Sequence, residues 1–132
     1  RLIFANYVDF NEHLDRHSEG DLFLDTFNYN AGSTAVIALL RGLPVLTLHG
    51  KSYHSRMSSS LLKSIDMDEL IAYSKTEYEE KAYSLATKPE ELIGIREKLR
   101  LKLSDDKNFN TNLFTKELES KYKTIYFKHF LK

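Results

Sequence analysis

Short apolar runs alternate with helical patterns along the first 87 residues of the chain. Three runs have the length and apolar character of strands buried in a parallel sheet: residues 1–6 (RLIFAN), 21–26 (DLFLDT) and 45–48 (VLTL). A segment with helical spacing follows each of them: residues 12–18, 33–41 and 53–65. Because strands that alternate with helices are typical of βαβ units, we expect the three runs to be parallel neighbours in one sheet.

The helix predicted over residues 33–41 is apolar on every face, as expected for a helix buried against a sheet. Gly42 and Pro44 follow it, in the order of a left-handed glycine cap and a residue that cannot continue a helix. We therefore expect Gly42 to adopt a positive φ and the chain to turn there into the next strand.

The remaining pattern predicts the end of a small sheet domain and then a series of helices. Residues 70–72 fit a fourth short strand. Three further helices are predicted at residues 76–86, 90–102 and 111–130. We assign residues 1–87 to a Rossmann-like lobe and residues 88–132 to C-terminal helices that pack on it. The last helix carries an aromatic stripe, which either packs on this lobe or covers a neighbouring one.

The composition excludes several classes of protein. Nineteen basic residues balance nineteen acidic ones, so no net field favours nucleic acid or an acidic membrane. The absence of cysteine excludes disulfides and thiolate chemistry and fits a reducing compartment. No apolar run reaches the roughly 20 residues of a membrane span, and there is no signal-peptide pattern. We therefore expect a cytoplasmic domain, and its abrupt start at an apolar run indicates a piece of a longer chain.

Two short motifs suggest chemistry that their surroundings do not support. The GKS sequence at residues 50–52 matches the end of a phosphate-binding P-loop, but that motif needs a glycine five positions earlier, where Val45 stands. His13 and His17 have the i, i+4 spacing of a helical zinc site, but no glutamate lies between them and no third ligand is evident. We interpret them as solvated helix histidines and predict no metal site.

The polar loop that opens the second helix is a candidate anion site. Gly32, Ser33 and Thr34 place small and hydroxyl residues at the helix start, where unpaired N–H groups and the helix dipole favour a phosphate. An ordinary helix cap formed by Ser33 is an equally good interpretation. His13 and Arg16 lie three apart on one helix face and offer ring and guanidinium planes to a nucleobase. We expect both groups to converge at the carboxyl edge of the sheet.

A series of short motifs runs along nearly the whole chain. They are EHLDR (12–16), DLFLDT (21–26), NAGSTAVI (30–37), GLPVLT (42–47), GKSYHSR (50–56), FN (109–110) and ELE (117–119). This series resembles the O-linked N-acetylglucosamine transferase and Spindly-like proteins, glycosyltransferase family 41. The pattern of that family is E-H-x-x-R, D-x-x-L-D-T, N-x-H-T-T-x-x-D, G-x-P-x-x-T, G-x-x-x-x-S-R, and F-N followed by E-L-E. Several short matches in the correct order are far more specific than any one of them alone.

The resemblance implies a Rossmann-like parallel sheet with flanking helices, which forms the C-terminal lobe of a GT-B type glycosyltransferase. Members of the family transfer a sugar from a UDP-sugar to serine or threonine hydroxyls of proteins, with inversion and without a metal ion or other cofactor. The resemblance places His13 and Arg16 beside the uracil, and Ser33 and Thr34 at the diphosphate next to Gly32. The implied partners are a UDP-sugar, an acceptor protein or peptide, and the N-terminal lobe of the same chain; the catalytic residues are unknown.

Three positions depart from the pattern of the family. Gly32 stands where the family has a histidine, Ile37 where it has a ribose-binding aspartate, and Phe10 where it has a basic residue. The side chain of Ile37 cannot accept a hydrogen bond. A degenerate, non-catalytic lobe that serves as a scaffold or peptide-binding module is therefore the alternative to a UDP-sugar-binding transferase.

Overall fold

A three-stranded parallel sheet lies at the centre of the computed structural model, which describes residues 2–104 and 110–130. The strands are β1 (Phe23–Leu24), β2 (Val45–Leu48) and β3 (Ile71–Ala72). The helices are α1 (Phe10–Arg16), α2 (Ser33–Leu40), α3 (Met57–Ser64), α4 (Lys75–Thr87), α5 (Pro89–Ser104) and α6 (Thr111–Phe130). Short 3-10 turns occupy His17–Glu19, His54–Arg56 and Asp68–Leu70. Residue 1 and Phe109, on which two of the sequence motifs draw, lie outside the described residues.

The strands follow one another across the sheet in chain order, and all run parallel. Phe23 pairs with Val45 in register, and Thr47 pairs with Ile71. The prediction that residues 21–26 and 45–48 contain parallel neighbours is confirmed, although β1 is shorter than its apolar run. The short strand expected within residues 70–72 is confirmed as the third member of the sheet.

The strand predicted over residues 1–6 is wrong as far as the structure describes it. Residues 2–9 have no regular secondary structure, and Leu2, Ile3 and Phe4 are 84%, 81% and 88% exposed. A strand requires a neighbouring strand that accepts and donates its backbone hydrogen bonds. The apolar pattern of RLIFAN predicts the conformation but carries no information about whether such a neighbour is in place.

Helices cover both faces of the sheet, so successive residues of a strand are buried in different clusters. Val45 and Ile71 pack into the larger core, which contains apolar residues of α2, α3 and α5. Leu46 and Ala72 pack on the opposite face against Tyr78 of α4. This alternation follows from the two-residue period of a strand and explains why the strands are apolar at every position except Thr47.

The predicted end of α2 is confirmed. Gly42 has a φ of +75°, the left-handed conformation expected of a glycine cap. Its N–H donates to the carbonyl of Leu39 at 2.8 Å, and the N–H of Leu43 donates to the carbonyl of Ala38 at 2.9 Å. These bonds satisfy the last carbonyls of the helix and turn the chain directly into β2.

The two C-terminal helices differ in how they relate to the sheet. In α5, Leu99 is fully buried in the larger core, and Ile95 and Leu103 pack beside it. In α6, none of the described residues is buried. The division of the chain at residue 87 stays a prediction.

Among the described residues, no helix is both long enough and apolar enough to cross a membrane.

Candidate functional site

A buried carboxylate fixes the loop that leads from β1 to α2. Asp25 follows β1 directly and is only 3% exposed. Its Oδ1 accepts hydrogen bonds from the N–H groups of Thr26 and Ala31, both at 2.8 Å. Its Oδ2 accepts a hydrogen bond from the hydroxyl of Thr47 in β2 at 2.7 Å. The carboxylate therefore closes the loop on itself and ties it to the next strand.

Tyr78 of α4 completes this cluster from the other face of the sheet. Its hydroxyl donates to the backbone carbonyl of Asp25 at 3.2 Å. Burial raises the pKa of Tyr78 to about 12, and the negative charge of Asp25 contributes in the same direction. Tyr78 therefore keeps its proton, and remains a donor, throughout the physiological range.

Asn30 fixes the other end of the loop and is fully buried. Its backbone N–H donates to the carbonyl of His54 at 2.9 Å, and its Nδ2 donates to the carbonyl of Thr26 at 2.7 Å. The ring of Tyr29 stacks on that of His54 with 4.6 Å between the centroids. These contacts join the loop to the turn before α3, so both sides of the adjoining cleft are held in one geometry.

The start of α2 carries no side-chain cap. Gly32 is the N-cap residue, and no side chain accepts a hydrogen bond from the first N–H groups of this helix. The ordinary cap by Ser33, the alternative favoured equally by the sequence, is therefore wrong, and the side chains of Ser33 and Thr34 are exposed. Uncapped N–H groups at a helix start are donors for an anion.

A cavity of about 580 Å³ lies at this point, beside the carboxyl end of β2. Gly32 and Ser33 line it from α2, and His49 lines it from the residue after β2. Arg56 and Lys63 add two cations from α3 and the turn before it, and none of the lining residues is Asp or Glu. A cleft with cations, hydroxyl groups and helix N–H groups but no carboxylate favours a negatively charged ligand.

The loop between β2 and α3 closes tightly beside the cavity but does not wrap a phosphate. The N–H of Gly50 donates to the carbonyl of Ser55 at 2.8 Å. The hydroxyl of Ser55 accepts from the N–H of Ser52 at 3.1 Å and lies 2.9 Å from the Ser52 hydroxyl. A Cβ at position 50 would overlap the Ser55 side chain, so only glycine fits. The GKS sequence thus has a structural role, in agreement with its rejection as a P-loop.

Four of the five residues predicted to bind a nucleotide line two different cavities. Gly32 and Ser33 line the cavity at the start of α2, and Thr34 lies on the first turn of that helix. His13 and Arg16 line a second cavity of about 360 Å³, together with residues 5–8 of the N-terminal segment. Arg16 donates there to the carbonyl of Asn6 at 3.0 Å. His13 and Arg16 lie at one cavity, and the convergence of all five residues on one ligand stays a prediction.

The interpretation of His13 and His17 as solvated helix histidines is wrong for His17. This residue is only 8% exposed, and its Nδ1 lies 2.8 Å from the carbonyl oxygen of His13. The two rings meet edge to face, with 4.9 Å between their centroids. Over residues 2–104 and 110–130 there is no cluster of three or more histidine, cysteine or acidic side chains that could hold a metal ion.

Sequence reasoning missed the residues that line the cavity from the side of α3. His49 directly follows a predicted strand, and the residue after a parallel strand lies at the carboxyl edge where ligands bind. That position was a usable signal for His49. Arg56 ends the motif GKSYHSR, which does not show that its side chain reaches the cavity, and Lys63 carried no signal. The approach of both residues depends on how α3 packs beside α2, and this packing is a tertiary feature.

The departure from the family pattern at position 32 has a counterpart in the cavity. A Cβ on Gly32 would lie 2.7 Å from Cε of Met57, which also lines the cavity. The end of the methionine side chain therefore occupies the space that a larger residue at position 32 would enter. Ile37, the other departure on α2, is half-buried and offers no polar atom.

The parallel sheet places this chain among the α/β proteins, and the cationic cavity lies at the carboxyl edge of the sheet, where proteins of this class commonly bind their ligands. The sequence model of glycosyl transferase family 41 matches residues 1–118, and the chain belongs to that family. The resemblance found in the sequence motifs is confirmed, as is the expected fold class, a Rossmann-like parallel sheet with flanking helices.

Individual relatives agree with this assignment. The chain is 31% identical to the probable UDP-N-acetylglucosamine–peptide N-acetylglucosaminyltransferase SPINDLY of Solanum lycopersicum. The matched region is 125 residues long and covers 95% of this chain and 13% of that protein. It is 29% identical over 119 residues to the UDP-N-acetylglucosamine–peptide N-acetylglucosaminyltransferase of Caenorhabditis elegans, covering 90% of this chain and 10% of that one.

A solved structure matches the fold as well. A lysine-to-methionine mutant of the Thermobaculum terrenum O-GlcNAc transferase superposes with a TM-score of 0.83 at 32% identity. The match covers 90% of this chain and 23% of that chain. This chain therefore spans a small part of the length of the transferases that it matches, and the match agrees with the expected lobe of a GT-B type transferase.

Proposed function

We propose that this chain is the UDP-sugar-binding part of a protein O-glycosyltransferase. The enzyme transfers N-acetylglucosamine or a related sugar to serine or threonine hydroxyls of an acceptor protein, with inversion and without a metal ion or other cofactor. Support comes from membership of glycosyl transferase family 41 and from the names of the relatives. The observation that carries the proposal is the cavity at the uncapped start of α2, which combines two cations with no carboxylate.

The chemistry of sugar transfer explains why this cavity suits the donor. As the acceptor hydroxyl attacks the anomeric carbon, the bond from that carbon to the diphosphate breaks, and UDP leaves with the electron pair. The N–H groups of α2, the hydroxyls of Ser33 and Thr34, and the cations of Arg56 and Lys63 stabilise the developing negative charge. In this proposal the charge is balanced by groups of the chain itself. The catalytic residues lie in parts of the enzyme beyond those assigned here.

The uracil end of the donor is assigned to His13 and Arg16. Their imidazole and guanidinium planes can stack on a base, and both line the smaller cavity beside α1. An acceptor protein or peptide and the N-terminal lobe of the same enzyme complete the proposed set of partners, and nucleic acid and membrane are not among them. We place the enzyme in the cytoplasm because the lack of cysteine in this sequence fits a reducing compartment.

A non-catalytic scaffold is the second candidate, and one observation favours it. Relative to the family pattern, α2 and its cap lack a histidine at position 32 and a carboxylate at position 37, and the side chain of Met57 occupies the space beside Gly32. A lobe that no longer binds a donor is free of selection for those groups. The two candidates therefore differ in whether UDP binds at all.

Calorimetric titration of UDP against the full-length protein separates the candidates. We expect binding, and we expect Thr34→Ala to weaken it by about 1 to 2 kcal/mol, the scale of a lost hydrogen bond to a charged group. Ile37→Asp should strengthen it, because the new carboxylate restores an acceptor for a ribose hydroxyl. Thr115→Ala on the exposed surface of α6 is the matched control and should leave binding unchanged. A folded full-length protein that binds no UDP, as wild type or as Ile37→Asp, supports the scaffold.

A further inference from the structure

His49 is held rigidly at the edge of the cavity. Its backbone N–H donates to the carbonyl of Ala72 at 2.8 Å, which extends the pairing of β2 and β3 by one bond. Its ring lies against that of Tyr73, with 5.4 Å between the centroids, and its Nδ1 lies 2.8 Å from the hydroxyl oxygen of Ser59. Contacts from the sheet, from Tyr73 and from α3 therefore fix the position of the ring before any ligand arrives.

The partner of His49 also decides which ring nitrogen is available. The hydroxyl of Ser59 donates its one proton to the carbonyl of Arg56 at 3.0 Å. The same hydroxyl can therefore only accept from His49, so Nδ1 carries the proton. In the neutral ring the second nitrogen, Nε2, is then a lone-pair acceptor. This assignment follows from the hydrogen-bond network around Ser59.

An acceptor of this kind is scarce in the cavity. The uncapped helix start, Arg56 and Lys63 all donate, and none of the lining residues carries a carboxylate. The hydroxyl of Ser59 is already engaged with Arg56 and His49, and the other lining hydroxyls, on serine and tyrosine, can accept but rotate, whereas the imidazole is fixed. A nucleotide sugar presents hydroxyl groups as well as phosphates, and the residue at position 37 that could have accepted from a hydroxyl is an isoleucine.

We infer that His49 is a specificity-determining residue whose Nε2 accepts a hydrogen bond from a hydroxyl group of the nucleotide sugar in this cavity. The inference rests on the proposed function and deepens it. Both the ribose and the transferred sugar carry such hydroxyls, so the shared chemistry is that of a sugar hydroxyl. His49 thereby supplies an acceptor for a sugar hydroxyl, which the side chain of Ile37 cannot do, and Ser59 is the residue that positions the ring of His49.

Two substitutions of His49 separate its two ring nitrogens. In His49→Asn the side-chain amide reaches the place of Nδ1 and keeps the contact with Ser59, but nothing replaces Nε2. In His49→Gln the longer side chain brings an amide oxygen to the place of Nε2. We expect His49→Asn to weaken donor binding by about five- to tenfold, the usual effect of losing one hydrogen bond, and His49→Gln to restore part of the loss. If His49 only supports the structure through its contact with Ser59, His49→Asn should bind the donor better than His49→Gln.

The titrations use the full-length protein with UDP, 2′-deoxy-UDP and UDP-N-acetylglucosamine. If His49→Asn loses the same affinity for UDP as for UDP-N-acetylglucosamine, the hydroxyl that His49 accepts from belongs to the ribose. The affinity of the wild type for 2′-deoxy-UDP then tests whether it is the 2′ hydroxyl. If His49→Asn loses affinity for UDP-N-acetylglucosamine alone, the hydroxyl belongs to the transferred sugar. Both results support the inference. His129→Gln on α6 controls for the loss of an exposed histidine, and the melting temperature of each variant shows that it is folded.

Two results overturn the inference, and they differ from each other. In the first, the wild type binds UDP and UDP-N-acetylglucosamine, and a folded His49→Asn variant binds each of them as tightly as the wild type does. His49 then has no role in the site, although the proposed function stands. If the wild type binds neither ligand, the proposed function fails and the role of His49 fails with it.

Discussion

Two segments of this chain have the same sequence pattern and different structures. Residues 2–20, the first segment, and residues 21–42, the second segment, each combine an apolar run with a helix. In the first segment the apolar run is exposed and unpaired. In the second, the N–H of Phe23 donates to the carbonyl of Pro44 at 2.8 Å, and the N–H of Asp25 donates to that of Leu46 at 3.0 Å. The local sequence pattern alone therefore does not show which of the two apolar runs forms a strand.

The second segment differs by a polar anchor at the end of its apolar run. Asp25 joins its own loop to Thr47 in the neighbouring strand, and Tyr78 reaches the same residue from α4. The apolar run of the first segment ends in Asn6, whose backbone carbonyl accepts a hydrogen bond from the side chain of Arg16 in the same segment. A buried charge is tolerated only where several donors surround it, so Asp25 specifies one arrangement of strand and loop.

Removal of the anchor should have the largest effect on stability. Asp25→Ala leaves the hydroxyl of Thr47 and the N–H groups of Thr26 and Ala31 without their acceptor, so we expect unfolding to become easier by about 3 kcal/mol or more. Denaturant unfolding of this chain measures the change. Asp21→Ala is the control from the same run, since its carboxylate forms a surface ion pair with Arg96 at 3.1 Å. The control should cost less than about 1 kcal/mol. Equal effects would contradict the importance of the anchor.

The loop between β2 and α3, which contacts the second segment, should give the next largest effect on the free energy of unfolding. Gly50→Ala introduces a Cβ that overlaps Ser55, and the turn that follows holds Asn30 through the carbonyl of His54. We expect a loss of about 2 kcal/mol, typical of overpacking at a site that cannot relax. Gly94→Ala in α5 is the matched control with the opposite sign. Nothing lies within 4 Å of its Cβ position, so the helix propensity of alanine should stabilise the chain by up to about 1 kcal/mol. A loss at both glycines would point to a general intolerance of substitution.

Tyr78 links the anchor to the stability of the chain at high pH. Burial and the charge of Asp25 raise the pKa of Tyr78 to about 12, above the value near 10 of an unfolded tyrosine. The folded state therefore keeps a proton that the unfolded state loses, so this contribution is complete below pH 10 and falls as the pH rises towards 12. We expect the stability advantage of wild type over Tyr78→Phe to shrink by about 1 kcal/mol between pH 9 and pH 11. A constant difference between the two would show that the tyrosine titrates normally.

The helices were easier to predict from the sequence than the sheet. The predicted helix over residues 111–130 matches α6 to the residue, and α2 ends one residue before its predicted end. Helix periodicity and the Gly42 cap are local signals, whereas a strand depends on a partner elsewhere in the chain. For the same reason the sequence identified Gly32 and Ser33 at the site but not Arg56 and Lys63, which only the packing of α3 brings there.

The smallest expected effect tests the comparison most directly, because it concerns the same residue type in both segments. Phe4 is 88% exposed, so Phe4→Ala removes little buried area, and we expect the free energy of unfolding to change by less than about 0.5 kcal/mol. Phe23 packs against the larger core, so Phe23→Ala should cost about 2 kcal/mol or more. Denaturant unfolding of both variants measures the difference. A cost for Phe4→Ala close to that of Phe23→Ala would show that the first segment is buried in solution, and that its apolar run finds a place on the sheet after all.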